Sequence, residues 1–372
     1  MPISCTQELS CKICGKIFIF GNYEKKLYEQ QGFSKPKLCP VCRKAERELR
    51  EQEIERIENE KWQQKKLEDK KAFNVLLKEW RVVAKDDIHF SNDHVLYVIG
   101  NGFDLMHGVR SSYYAFRDTL GKNSALLHAL ENFSTMEDIW ADFEEALAHF
   151  NTNAMSDGLI VDNWLDILGA YDEDAGASEF YQATEAAANP ILTVVNALPR
   201  RFRMWVETLS IGTDDRPLQD ILRKNGKVLC FNYTEFIETL YGFPEDKICY
   251  IHGCRRKKKY FPKERLILGH MPREDTYSYD FDDDSIKCIK DPFKLSMIDV
   301  AQDNVIQLIS EGDEVLTKNC SDIIYSKDTF FSSLNKIEYI VTIGHSLSPV
   351  DWDYFIEIVS RVPNIKDVRW YF

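Results

Sequence analysis

Five short apolar runs in this sequence end on residues that can do chemistry. "VLYVI" ends at Gly100-Asn101-Gly102-Phe103-Asp104. "GKVLCF" ends at Asn232-Tyr233-Thr234-Glu235, and "KICYI" at His252-Gly253. "RLIL" ends at Gly269-His270, and "IEYIVTI" at Gly344-His345-Ser346-Leu347-Ser348. Gly100 and Gly102 remove the β-carbon where backbone must approach a ligand closely. A helix starting just beyond them would offer N–H groups to a phosphate. An Asn side chain can both donate to and accept from a ligand. An imidazole with a pKa of ~6.5 can take a proton from water or a hydroxyl. Asp104 or Glu144 can stabilise a developing positive charge. Polar residues converging at successive strand ends describe a ligand site, with Asn232, His252, Asp104 and Glu144 as its candidate catalytic groups. Gly100, Asn101, Gly102, Phe103, Tyr233, His270, Gly344, His345 and Ser346 are the candidate ligand-binding residues.

Each of these residues also has a plainer reading. The dinucleotide fingerprint needs a third glycine at position 105, which is Leu105. Asn232 could cap a helix starting at Thr234. His252 could be a satisfied half-buried imidazole. His345 and Ser346 could serve a turn and a cap. Asp104 could cap a helix or pair with Arg110. The functional reading rests on their convergence.

A second chemistry lies near the start. Cys11-x-x-Cys14 and Cys39-x-x-Cys42 are two knuckles separated by 24 residues. Each places two thiolates within reach of one metal, and zinc prefers four such ligands in a tetrahedron. Gly15 and Pro40 stand where tight turns are needed. So small a region cannot fold on its apolar residues alone, and metal would supply its stability. A redox dithiol, the alternative, would need one CxxC beside a βαβ unit. The stretch resembles the zinc ribbons of many bacterial proteins, which implies a structural, adaptor-like zinc.

The elements that must position these residues follow from periodicity. The runs at 94–100, 226–233, 247–253, 337–347 and 368–372 read as strands, with 265–270 as a short further one. Helical patterns lie at "SYYAFRDTL", "DIWADFEEALAHF", the long run from Glu179 to Leu209, and "DWDYFIEIVSRV". Apolar strands alternating with helices predict an α/β domain with a mainly parallel, Rossmann-like sheet, whose ligand site lies outside the strands' carboxyl ends. The helical stretch is too long for one crossover and predicts an insertion, about 111–215, capping the sheet. The expected domains are therefore a zinc ribbon (1–45), a charged helical connector (46–88) and the α/β domain (89–372). The connector, rich in Glu, Lys, Arg and Gln, lacks a clean heptad. It reads as a solvated helix, with self-association into a homo-oligomer as the alternative.

The net charge of −13 argues against non-specific nucleic-acid binding. A local basic patch exists at Arg255-Arg256-Lys257-Lys258-Lys259. No apolar stretch approaches the ~20 residues of a membrane helix. With no secretion signal, the ten cysteines read as reduced thiols and the expected location is the cytoplasm.

"VIGNGFDLMHGVRSSYYAF", "WADFEEAL", "VLCFNYTEFIE", "YIHG", "LILGH" and "IGHSLSPVDWDYF" resemble, in order, the AbiH family of bacterial phage abortive-infection proteins, over about residues 93–372. The FNYT, IHG and GHSLS series is also similar to the sirtuin-like NAD-binding domains of antiphage defence, where the Asn after the strand and the following His line the NAD site. Those domains usually carry Gly-Ala-Gly where this sequence has Gly-Asn-Gly. The first resemblance implies defence against phage, with a phage-derived trigger. The second implies a nucleotide ligand and hydrolysis of NAD at the nicotinamide–ribose bond. The rival expectations are a nuclease guided by the ribbon and basic patch, and a nucleotide-sensing adaptor without turnover.

Overall fold

The computed structural model describes residues 7–20, 35–42, 84–149 (save 133 and 135), 177–256, 265–272 and 292–372 (save 363, 364, 366 and 367), with single positions between 45 and 71. Lys257–Lys259 lie outside these residues. So does the expected helical connector, apart from single positions and residues 84–88. The chain divides into two compact units, Met1–Val75 and Leu76–Phe372.

In the first unit β1 (Gln7–Ser10) and β2 (Ile17–Phe20) pair antiparallel. The knuckle between them closes when Gly15 N–H donates to Cys11 O at 3.0 Å. Gly15 has φ +69°, which only glycine adopts without strain. Phe18 and Phe20 are buried while Ile17 and Ile19 face outward, the two-residue period of a strand. The second knuckle runs into a helical turn that starts at Pro40, a position where the missing N–H costs nothing.

In the second unit, β3 (Val95–Ile99) is buried at every residue. Among the described residues there follow α1 (Asn101–Met106), α2 (Tyr113–Thr119), α3 (Ala125–Asn132) and α4 (Phe143–Ala146). The long α5 (Ala177–Thr208) precedes β4 (Lys227–Cys230), α6 (Phe236–Tyr241) and β5 (Ile248–Tyr250). Then come α7 (Pro292–Leu316), α8 (Cys320–Ser326), α9 (Asp328–Ser332), β6 (Tyr339–Ile343), α10 (Trp352–Arg361) and β7 (Arg369–Tyr371). The sheet order is β5-β4-β3-β6-β7, and every pairing is parallel. Connections run outward from β3 in both directions. The switch point therefore lies between β3 and β6, where open α/β sheets place their ligands.

Helices cover both faces. Val95, Tyr97 and Ile99 share one core with Phe236, Ile237 and Leu240 of α6. Toward the opposite face, Phe355 of α10 stacks on Trp370 and Phe231. A separate core joins α2, α3, α5 and α7. On α5 the buried residues Ile191, Val194, Leu198, Phe202 and Trp205 recur at helical spacing. Their burial holds the helix through Pro190 and Pro199, each of which costs ~3 kcal/mol in a helix interior.

The structure departs from the sequence expectations in several elements. "RLILGH" is not a sheet strand. Its backbone joins Leu316–Lys318 through an isolated bridge, with Lys318 N–H donating to His270 O at 2.7 Å. "DIWADFEEALAHF" keeps only the short α4. Asp138 Oδ1 accepts the Trp140 N–H at 3.2 Å, a local turn that competes with helix. Helix α7 was not anticipated, and it supplies part of the cap. Gly312 lets it approach α5 closely, since a β-carbon there would lie 2.9 Å from Ile191 Cγ1. Among the described residues no helix is long and apolar enough to cross a membrane.

Candidate functional site

The turn after β3 meets the turn after β6 backbone to backbone. Gly100 N–H donates to Ile343 O at 3.0 Å, and Gly102 N–H to Gly344 O at 2.7 Å. A β-carbon on Gly100 would lie 2.5 Å from His345 Cα, and one on Gly102 would lie 2.6 Å from Gly344 Cα. These glycines are thus required for packing the two turns. Their N–H groups are spent there and do not cradle a phosphate, contrary to the sequence expectation. Gly344 sits at φ +63°. Leu347, at φ +55°, is the one non-glycine with positive φ among the described residues. Such a conformation persists only when its surroundings hold it. Here Leu347 N–H donates to His345 Nδ1 at 2.9 Å, and Trp352 Nε1 donates to Leu347 O at 2.8 Å.

A cavity of about 400 Å³ opens at this switch point. Small-molecule sites span ~300–1,000 Å³. Of the predicted residues, Gly100, Asn101, Gly102, Asp104, Glu144, Asn232, Tyr233, His252, Gly344, His345 and Ser346 all line it. Two do not. Phe103 points into the core beside His107 and Tyr241, because it sits on the buried side of α1. His270 is fully buried beside the α7 terminus, where its Nδ1–H donates to Met271 O at 2.6 Å. His107, in the opening motif, is likewise structural. Its Nδ1–H donates to Phe103 O, and its Nε2 accepts from Tyr241 O–H, each at 2.7 Å.

Asp104 is 2% exposed. Its Oδ1 accepts from Asn232 Nδ2 at 2.8 Å, and its Oδ2 from Thr234 Oγ1 at 2.7 Å. Burial pushes its pKa up to about 6 despite these donors. Asn232 therefore clamps Asp104 and does not cap α6, and Arg110 pairs with Asp118 instead.

The rest of the charge converges on Asp351, a residue that its place in "SPVDW" does not mark. Pro349 starts the short turn that presents it. Its Oδ1 lies 3.2 Å from Lys318 Nζ and 3.6 Å from His252 Nε2, and its Oδ2 lies 3.4 Å from His345 Nε2. Since Nδ1 of His345 accepts from Leu347, the proton of its neutral ring belongs on Nε2, facing Asp351. Burial would raise the Asp351 pKa, but Lys318 and the two imidazoles hold it well below the usual carboxylate range. Lys318, also missed, is fully buried and contacts Glu144 as well. Burial would lower its pKa, but Asp351 and Glu144 raise it, so it stays charged. Glu144 accepts from Tyr113 O–H at 2.8 Å, and its own pKa is raised chiefly by burial. Burial, then Lys318, drives the His252 pKa well below its ordinary value, so its ring is neutral. Nothing in the local sequence marks Lys318. The bridge to His270 and the end of α7 bring it in.

One family model matches most of the chain: that described as "Bacteriophage abortive infection AbiH", over residues 96–372. The chain belongs to the AbiH family. A second model, "Probable treble clef domain", matches residues 7–51. No curated protein and no solved structure matches the chain. The AbiH region contains the whole cavity, and the family ties the chain to phage abortive infection.

The treble clef region carries the four cysteines, whose sulfurs all lie within 4.8 Å of one another. Cys14 and Cys39 sulfurs are 3.8 Å apart. That matches the edge of a tetrahedron with metal–sulfur bonds of ~2.3 Å, the zinc–thiolate length. Four thiols with no other donor suit a closed, structural zinc. Among the described residues no other group of three or more His, Cys, Asp or Glu could hold a metal.

Proposed function

We propose that this AbiH protein acts in abortive infection by hydrolysing NAD at the nicotinamide–ribose bond. One observation carries the reading. A neutral, buried His252, whose Nε2 has no hydrogen-bond partner among the described residues, shares a cavity with a buried carboxylate that no cation neutralises by contact. Cleavage of this bond passes through an oxocarbenium-like transition state. Asp104, held by Asn232 and Thr234, would stabilise that positive charge. Water, oriented by a hydrogen bond to His252 Nε2, adds to the ribose carbon and loses its proton to solvent, while the C–N bond electrons return to the pyridinium ring, so nicotinamide leaves neutral. Glu144 is occupied by Lys318 and Tyr113, so the charge-stabilising role falls to Asp104. Asn232 acts through Asp104 as a positioning residue. Tyr113, Tyr233, Phe202, Trp205 and Phe231 give the cavity flat apolar surfaces for a ring.

For the nuclease alternative, the two described residues of the basic patch are engaged within the protein. Arg255 donates to both oxygens of Glu235 at 3.0 and 3.1 Å, and Arg256 is paired with Glu238 and Glu245. The test is nicotinamide release from NAD by the purified full chain, with and without lysate of phage-infected cells. Turnover by wild type, lost in Asp104→Asn and His252→Ala, is the expected result. If wild type binds NAD yet releases no nicotinamide under either condition, the hydrolase reading fails and the site is a nucleotide sensor.

A further inference from the structure

Three buried polar atoms have no hydrogen-bond partner among the described residues and line this same cavity: Ser111 Oγ, Ser348 Oγ and His252 Nε2. Ser111 is 8% exposed and His252 2%. A buried polar atom left unsatisfied costs ~1–3 kcal/mol, and folded proteins keep few of them. Three in one cavity point to a ligand that completes them. A serine hydroxyl both donates and accepts, and a neutral imidazole nitrogen does one or the other. Ligand hydroxyls, which also do both, satisfy all three. Phosphate oxygens at neutral pH mainly accept.

The charge of the cavity sharpens the choice. Asp104, Asp142, Glu144 and Asp351 line it, and among the described residues no Lys or Arg does. The ammonium of Lys318 is buried and already holds two of these carboxylates. The N–H groups of Gly100 and Gly102 are used between the two turns. A phosphate inside would meet like charge at low dielectric, while a cationic ring would meet opposite charge and aromatic faces.

We propose that the cavity is a subsite for a phosphate-free, hydroxyl-bearing riboside with a cationic base, recognised by Ser111, Ser348 and His252. The phosphates of a larger nucleotide then lie outside it. This rests on the proposed reading for the identity of the ligand, but binding tests it without turnover.

The experiment is calorimetric titration of the full-length protein with nicotinamide riboside and with nicotinamide mononucleotide, which differs by one 5′-phosphate. The riboside should bind, and the mononucleotide should bind no more tightly, because its phosphate finds no cation in the cavity. Ser111→Ala and Ser348→Ala should each weaken riboside binding about three- to tenfold, the value of one hydrogen bond. The free variants should melt no lower than wild type, because each deletes an oxygen that is unsatisfied without ligand. No riboside binding, tighter binding of the mononucleotide, or unchanged affinity in both variants would each overturn the proposal. Variants that melt clearly below wild type would do so too, since the serines would then have partners within the protein. Riboside binding without any nicotinamide release from NAD would sink the hydrolase reading and leave the subsite standing.

Discussion

Replacing Lys318 with methionine removes the cation that two buried carboxylates share. At 3.2 Å and an effective dielectric of ~20, the Lys318–Asp351 attraction is about 5 kcal/mol. Glu144 adds a second contact. Desolvation of the ammonium offsets part of this, and breaking a buried pair from one side costs ~3–5 kcal/mol net. At roughly 2–4 °C per kcal/mol for a domain above 150 residues, the melting temperature at pH 8 should fall by roughly 6–20 °C. The pH dependence identifies the cause. In wild type the Asp351 pKa is depressed, so its contribution is present above its unfolded value of ~3.8 and is lost as pH falls through the folded one. The raised pKa of Lys318 contributes below ~10.5 and is lost as pH rises through its folded value. In Lys318→Met the buried carboxylates bind protons more tightly than in the unfolded chain, so the variant gains stability on acidification. The gap between the two proteins should therefore narrow from pH 8 to pH 5, as followed by circular dichroism melts. A gap under about 2 °C at pH 8, or one that widens toward pH 5, would refute this account of the cluster.

Other outcomes follow from the same geometry. Because Asp104 must be ionised to stabilise a cation and burial pushes its pKa up to about 6, nicotinamide release should rise with pH through that value. Asp104→Asn should abolish this limb and lower the rate roughly a hundredfold, the size of losing one preorganised electrostatic group. Thr234→Val removes the donor to Asp104 Oδ2 and should shift the limb to higher pH, measured in the same pH–rate profile. Gly102→Ala places a β-carbon 2.6 Å from Gly344 Cα, so the turns must part, at a cost of ~1–3 kcal/mol or more seen as a lowered melting temperature. Mass spectrometry for metals should find one zinc per chain and its loss in Cys39→Ser, since three ligands leave the tetrahedron open.

Much of this molecule is readable from local pattern. Apolar runs such as 95–99 and 339–343 are buried on both faces in a parallel sheet, and such strands need no partner to be recognised. Polar residues directly after them must emerge at the carboxyl edge, which is why position alone places Asp104, Asn232, His252 and His345 around one cavity. The two CxxC knuckles are equally local, because each pair fixes its own geometry. What lay beyond the sequence was pairing at long range. Phe103 and Asp104 are neighbours, yet the turn of α1 sends one into the core and the other into the cavity. Asp351 and Lys318 are 33 residues apart, and Glu144 lies 174 residues from Lys318. No periodicity links them. Only the docking of α7, its bridge to His270 and the proline turn before α10 bring the three charges together. Burial then decides their protonation, and that depends on every element packed around them.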